Sequence, residues 1–223
     1  MPARGGSKTI PRKNLAMVAG RPLLAWTAEA VRQSVRLSRT VLSTEDLEIA
    51  DLGRRLGLEV PWLRPPALAA DDTPTLAVLQ HVLDTLERTE GYRPAAVALL
   101  QPTSPLRRGS HIDDALNLLE SSGADSVVSV VRVPHQYNPV SVLCAVDGRL
   151  VPWSGGPTVT RRQDKPELFA RNGPAVLVTR TGVLARGDLY GVDSRPLVMS
   201  AEESIDIDDV WDLELADWLL RRR

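Results

Sequence analysis

Residues 95–100 read Ala-Ala-Val-Ala-Leu-Leu, six apolar positions in a row with no polar residue between them. A strand with one face in water alternates apolar and polar residues. An unbroken run belongs to a strand buried on both faces, as in a sheet covered by helices on two sides. The rest of the chain has the pattern such a sheet needs, short apolar runs alternating with stretches of helical period. Residues 22–35 carry Leu23, Leu24, Trp26, Thr27, Ala30 and Val31 at 3–4 spacing and predict a helix. Residues 39–42 predict a strand, after which Ser43-Thr44-Glu45-Asp46 offers N-cap side chains for a helix to residue 56. Further strands are expected at 59–63, 126–131 and 175–179, and helices at 73–88, 109–121 and 209–222. Pro74 suits a first helical turn, and the basic end of the last helix suits its dipole. The fold class that follows is α/β, with a mostly parallel sheet carrying helices on both faces.

Two features depart from a plain alternation. Between residues 134 and 171 prolines, glycines and charges break up short strand-like pieces such as 140–146, and this stretch reads as an excursion within one domain spanning 1–223. At the start, only Met1-Pro2-Ala3 precede Arg4, whereas a central strand of typical length needs about five residues. Either the true start lies upstream or the sheet lacks a central member, and the first is the expectation.

Bulk properties narrow the function. Lys and Arg number 27 against 28 for Asp and Glu, a balance that does not suit a nucleic-acid binder, which needs a clustered positive excess. Cys144 is the sole cysteine, so there is no disulfide framework or thiolate metal cluster within the chain. No apolar run approaches the roughly 18–20 residues of a membrane span, and no signal peptide is visible at Met1. A soluble cytoplasmic enzyme without membrane partners is the expectation.

Three segments carry chemistry. In Ala3-Arg4-Gly5-Gly6-Ser7-Lys8-Thr9-Ile10-Pro11-Arg12-Lys13-Asn14, adjacent glycines let backbone amides approach an anion, and Arg4, Lys8, Arg12 and Lys13 surround them with cations. A triphosphate needs such a cradle as charge develops on its oxygens. The segment is neither GxxxxGK[ST] nor GxGxxG, and a solvated basic tail has the same composition. Gln101-Pro102-Thr103-Ser104-Pro105-Leu106-Arg107 follows the most apolar strand, at the carboxyl edge where open α/β sheets bind ligands. A proline-stiffened connection accounts for it equally well. In Ser204-Ile205-Asp206-Ile207-Asp208-Asp209, Asp206 and Asp208 project from one face if the stretch is extended, and hard oxygens there suit Mg²⁺. Capping of the last helix by Asp208 or Asp209 is the competing role.

Taken together, Pro2 to Lys8, Ser43-Thr44-Glu45-Asp46, Leu63-Arg64-Pro65, Gln101 to Arg107, Arg162-Gln163 and Ser204 to Asp208 resemble, in this order, the acylneuraminate cytidylyltransferase family. The resemblance implies a Rossmann-like nucleotidyltransferase fold, and a homodimer in which the 134–171 excursion reaches the partner subunit. It implies transfer of CMP from CTP to an acidic keto-deoxy sugar, sialic acid or a related nonulosonic acid, with release of pyrophosphate. By position, Arg4, Gly5, Gly6, Ser7, Lys8 and Lys13 would hold the triphosphate, with Arg4 and Lys13 acting in catalysis. Asn14, Arg64, Thr73 and Thr75 would read cytidine. Gln101, Thr103, Ser104 and Arg107 would line the nucleotide–sugar junction, Arg162, Gln163 and Asn172 would meet the acceptor, and Asp206 and Asp208 would carry Mg²⁺. Asp208 is the candidate base. The sugar side departs from the family: where Asn-Gly-Ala-Ile-Tyr is common, this chain has Asn172-Gly173-Pro174-Ala175-Val176, and a lysine that some sialic acid enzymes carry is absent near 139–142. A phosphonate or sugar-phosphate acceptor, or a silent nucleotide-binding protein, is the alternative.

His81, His111 and His135 lack metal-ligand spacing. His81 is expected to be packed, and His135 could reach the sugar pocket. Trp26, Trp62, Trp211 and Trp218 are expected in core or interface, Trp153 at a dimer contact or under a sugar, and Cys144 as a small buried hydrophobe.

Overall fold

A computed structural model describes residues 1–155, 159 and 161–223. In chain order it contains β1 (Met17–Val18), β2 (Arg21–Pro22), α1 (Leu23–Gln33), α2 (Leu47–Arg55), α3 (Thr75–Glu90), β3 (Ala96–Leu99), α4 (Gly109–Ser122) and β4 (Ser126–Arg132). There follow β5 (Leu143–Val146), β6 (Arg149–Pro152), β7 (Phe169–Arg171), β8 (Leu177–Arg180), α5 (Thr181–Ala185), β9 (Ser194–Met199) and α6 (Val210–Leu220).

The central sheet has the order β3-β8-β4-β7, with β9 parallel to β4. Alternation along each strand divides its side chains between two cores. Ala96, Ala98, Leu100, Val127, Val176 and Val178 meet Ile112, Ala115 and Leu119 of α4 on one face. Val97, Leu99, Val128 and Leu177 meet Leu79 of α3 and Leu184 of α5 on the other. The uninterrupted apolar run at 95–100 is thus a strand with a core on each side, and truncating fully buried Leu99 or Leu177 to alanine would cost about 2–5 kcal/mol.

The pairing is more mixed than expected. β8 runs antiparallel to both β3 and β4, and β7 antiparallel to β4, because the chain returns from the excursion alongside β4 through the turn at Gly173-Pro174. Parallel pairing is found at β4–β9 and in two isolated bridges, Pro2 with Ser43 and Val41 with Glu59, to which the strands expected at 39–42 and 59–63 are reduced. Residues 1–3 stand in for the first strand: the Ser43 amide donates to the Met1 carbonyl at 2.8 Å and the Ala3 amide to the Ser43 carbonyl at 3.0 Å. Beside them, between residues 36–41 and 94–98, is a largely apolar recess of about 160 Å³. The Met1 nitrogen donates to the Val41 carbonyl at 2.9 Å.

The strand β9 is absent from the sequence-based expectations because Pro196 reads as a strand breaker. β9 pairs with β4 alone among the described residues, and an edge tolerates proline. The excursion contains the hairpin β5–β6, turned at Asp147 (φ 50°) and Gly148 (φ 75°), the left-handed pair a two-residue hairpin favours. Asp46 caps α2, accepting from the Ile49 amide at 2.9 Å, and Asp209 caps α6 through the Asp212 amide at 3.0 Å. Trp211 and Trp218 lie outside the core, exposed on α6, and Cys144, expected to be buried, is only half buried because its hairpin stands off the sheet.

Candidate active site

The N-terminal basic turn and the C-terminal acids meet in one cleft of about 480 Å³, lined from three directions. Arg4, Gly6, Ser7, Lys8, Lys13 and Asn14 supply one wall, Arg64, Thr73 and Thr75 the second, and Gln101, Thr103, Asp206 and Asp208 the third. The link between the ends is direct. Lys13 Nζ donates to the Ile207 carbonyl at 2.7 Å and lies 3.7 Å from Asp208 Oδ1, across 194 residues of sequence. The Ile207 amide in turn donates to the Thr103 carbonyl at 2.8 Å, so the 101–107 and 204–208 segments are tied edge to edge.

The twin acids have the geometry of extended backbone. Ile207 is fully buried, and Asp206 and Asp208 on either side of it both face the cleft. Helix capping falls to Asp209, which leaves both acids free for the cleft. The Asp206 carboxyl is held above its usual pKa, chiefly by burial and further by the Asp208 charge, against lowering contributions from Thr103, Lys13 and Ser104. Ser104 Oγ lies 3.4 Å from Asp206 Oδ1. Two carboxylates on one face, one of them destabilised as an anion, make a site that a cation would relieve.

The cations opposite are held by acids that sequence reasoning did not single out. Asp71 accepts from Arg4 at 2.7 Å and from Lys8 at 2.9 Å. Its signal was the Asp71-Asp72 pair immediately before Thr73. Glu45, given no site role in the sequence reading, accepts from the Gly5 amide and from Arg64 Nη2, both at 2.7 Å. Asn14 Nδ2 donates to the Arg4 carbonyl at 2.8 Å and fixes the turn from inside. Arg12 turns away from the cleft toward Asp46 and Glu48.

Several expected site residues stand elsewhere. Gly5 is required for space rather than for an anion: a Cβ there would fall 2.5 Å from Asp46 Oδ2, and its amide is already used by Glu45. Arg107 does not line the cleft. Its guanidinium is buried and donates to the carbonyls of Gln101 at 3.0 Å and Ala175 at 2.7 Å and to Thr27 Oγ1, with its pKa lowered to about 9 by burial. A buried guanidinium needs internal acceptors, and this one staples the loop after β3 to α1 and β8. Asn172 is also internal, donating to Ser204 Oγ at 2.9 Å and accepting from Ser129 Oγ at 2.6 Å. Arg162 and Gln163 lie exposed on a single turn of the excursion, outside the cleft, because that turn stands away from the sheet. His135 is exposed and outside the cleft, and His81 packs edge-on to Trp62.

Comparison with known proteins now decides the family. The family model described as Cytidylyltransferase matches residues 1–179. The chain belongs to the cytidylyltransferase family. Among its relatives, the CMP-N,N'-diacetyllegionaminic acid synthase of Legionella pneumophila is 32% identical over 99% of this chain and 94% of its own length. The N-acylneuraminate cytidylyltransferase of Escherichia coli is 30% identical over 97% of this chain, which spans 50% of that longer protein. The structure of CMP:2-keto-3-deoxy-manno-octonic acid synthetase complexed with CTP superposes with a TM-score of 0.72, covering 99% of this chain and 96% of that one at 16% identity, a likeness of fold. As a cytidylyltransferase, the chain is a nucleotidyltransferase. Its cleft brings the basic turn and the paired acids together at Lys13.

Proposed function

We propose that this cytidylyltransferase transfers CMP from CTP to an acidic keto-deoxy sugar, a sialic acid or related nonulosonic acid, and releases pyrophosphate. The observation that carries the proposal is the contact of Lys13 with Ile207 and its approach to Asp208, which joins the glycine-bearing turn to the twin acids in one cleft. The names of its relatives, whose products are CMP derivatives of acidic sugars, support the acceptor class.

In the proposed reaction the anomeric hydroxyl of the sugar attacks the α-phosphorus in line. The new O–P bond forms as the bond to the bridging oxygen breaks, pyrophosphate leaves with that electron pair, and the hydroxyl proton passes to a base. Arg4 and Lys8 bind the outer phosphates after exchanging Asp71 for them. Lys13, fixed by the Ile207 carbonyl, offsets charge at the α-phosphorus. Arg64, Thr73 and Thr75 line the wall assigned to cytidine, with Asn14 on the adjoining wall, and Gln101 and Thr103 are assigned to the acceptor side with Ser104 buried behind them against Asp206. Asp208, the more exposed acid, is the candidate base. Alignment and charge neutralisation carry this chemistry.

The acids suit Mg²⁺: both are hard oxygen donors facing one cleft, and Asp206 is destabilised as an anion by burial and by the Asp208 charge. Bound by Asp206 and Asp208, Mg²⁺ would neutralise phosphate charge and lower the pKa of the attacking hydroxyl. Homodimer formation through the excursion is supported by Tyr137, Leu143, Leu150, Trp153 and Phe169, all exposed there. No helix among the described residues is long and apolar enough to cross a membrane, and a lone free cysteine suits the cytoplasm. The test is pyrophosphate release from CTP and Mg²⁺ against a panel of acceptors. Release with a keto-deoxy sugar acid is expected; release only with phosphonates or sugar phosphates, or with none, refutes the assignment.

A further inference from the structure

Glu45 joins two parts of the cleft that sequence reasoning treats separately. One carboxylate oxygen accepts the Gly5 amide and the other accepts Arg64 Nη2, each at 2.7 Å. Arg64 is almost fully buried, and Glu45 is its ion-pair partner among the described residues. The Arg64 amide donates to the Thr44 carbonyl at 2.8 Å, so backbone and side chain are both held by the 44–45 corner. Arg64 Nε is buried and has no partner among the described residues, on a residue that lines the cleft. A guanidinium gripped at one end presents its remaining N–H groups in a fixed plane. Cytosine offers adjacent acceptors at O2 and N3, whereas uracil carries a proton at N3, so a fixed donor pair distinguishes the two bases.

We propose that Glu45 is a positioning residue that sets the plane of the Arg64 guanidinium and the glycine turn together, coupling choice of pyrimidine to the grip on the triphosphate. The proposal rests on the nucleotide site described above. It separates two substitutions. In E45Q the remaining carbonyl oxygen still accepts the Gly5 amide, but the carboxamide NH₂ faces Arg64 and offers it no acceptor. In E45A both contacts are lost.

Calorimetric titration of the whole chain with CTP, UTP and inorganic tripolyphosphate reads the difference, below the melting temperature of each variant. E45Q is expected to weaken CTP binding by about tenfold or more, the size of one charge-assisted hydrogen bond. It should also narrow the CTP/UTP ratio and leave tripolyphosphate affinity near wild type, while E45A weakens CTP and tripolyphosphate alike. R64Q probes the same contact from the other side: it should narrow the CTP/UTP ratio, and adding E45Q to it should change nothing further. An unchanged CTP/UTP ratio in E45Q, equal losses of CTP and tripolyphosphate in E45Q, or a further loss in the double variant would each overturn the proposal. Wild-type chain that binds no CTP overturns the site assignment itself and this proposal with it.

Discussion

Gly5 and Gly6 are adjacent and identical in sequence, yet alanine at the two positions should have opposite effects on stability. At Gly5 a Cβ would sit 2.5 Å from Asp46 Oδ2 and 3.0 Å from Asp46 Cβ, so Asp46 must move. Asp46 is the N-cap of α2 and pairs with Arg12, so its displacement disturbs both contacts. Overpacking costs about 1–3 kcal/mol and a lost cap about 0.5–2 kcal/mol, against a gain of about 0.4–1 kcal/mol from a less flexible unfolded chain. The net for G5A is a loss of about 2 kcal/mol, or roughly 4–8 °C in Tm for a chain of this size. At Gly6 a Cβ would meet nothing within 4 Å and the backbone is not left-handed, so G6A should be neutral or stabilise by about 0.4–1 kcal/mol. Thermal unfolding of both variants beside wild type measures this. If G6A loses as much stability as G5A, or G5A matches wild type, the steric account of the turn is wrong.

Two other predictions concern charge. Burial holds the His111 imidazole below its usual range, so around that range the unfolded chain binds more protons and stability falls as pH falls. Chemical denaturation of wild type and H111N at stepped pH checks this: the variant should lose part of the slope, and an identical slope refutes the assignment. In the glycine turn, D71N releases Arg4 and Lys8 and should tighten CTP binding severalfold at low salt, with the gain fading as salt rises. Weaker binding in D71N would show that Asp71 supports the site rather than competing for its cations.

Elements and their order were legible wherever local pattern determines structure. The run at 95–100, the caps before α2 and α6, and the alternation of acid and isoleucine at 205–208 each state their geometry in a few residues. Pairing direction was not legible, since β7 and β8 run antiparallel to β4 through a return path that no local period encodes. β9 was hidden by Pro196, which only its edge position makes tolerable. In the site, Lys13 and the twin acids were recognisable as charge patterns, but their meeting across the cleft is a tertiary fact. Gly5 and Arg107 both make internal contacts, because sequence shows that a group can face an anion, not which way it turns. The parts played by Glu45 and Asp71 were not legible because acids in loops look like solvated surface until their tertiary partners are known.

We propose that one cleft holds one magnesium–triphosphate between the basic turn and the paired acids. Titrating CTP with and without Mg²⁺ into wild type, K13A and the D206N/D208N variant tests it most directly. Mg²⁺ should strengthen binding to wild type by about tenfold or more. The double acid variant should lose that gain, and K13A should bind CTP more weakly under both conditions. CTP binding that ignores Mg²⁺ in wild type, or that is untouched by removing either Lys13 or the two acids, would contradict the account.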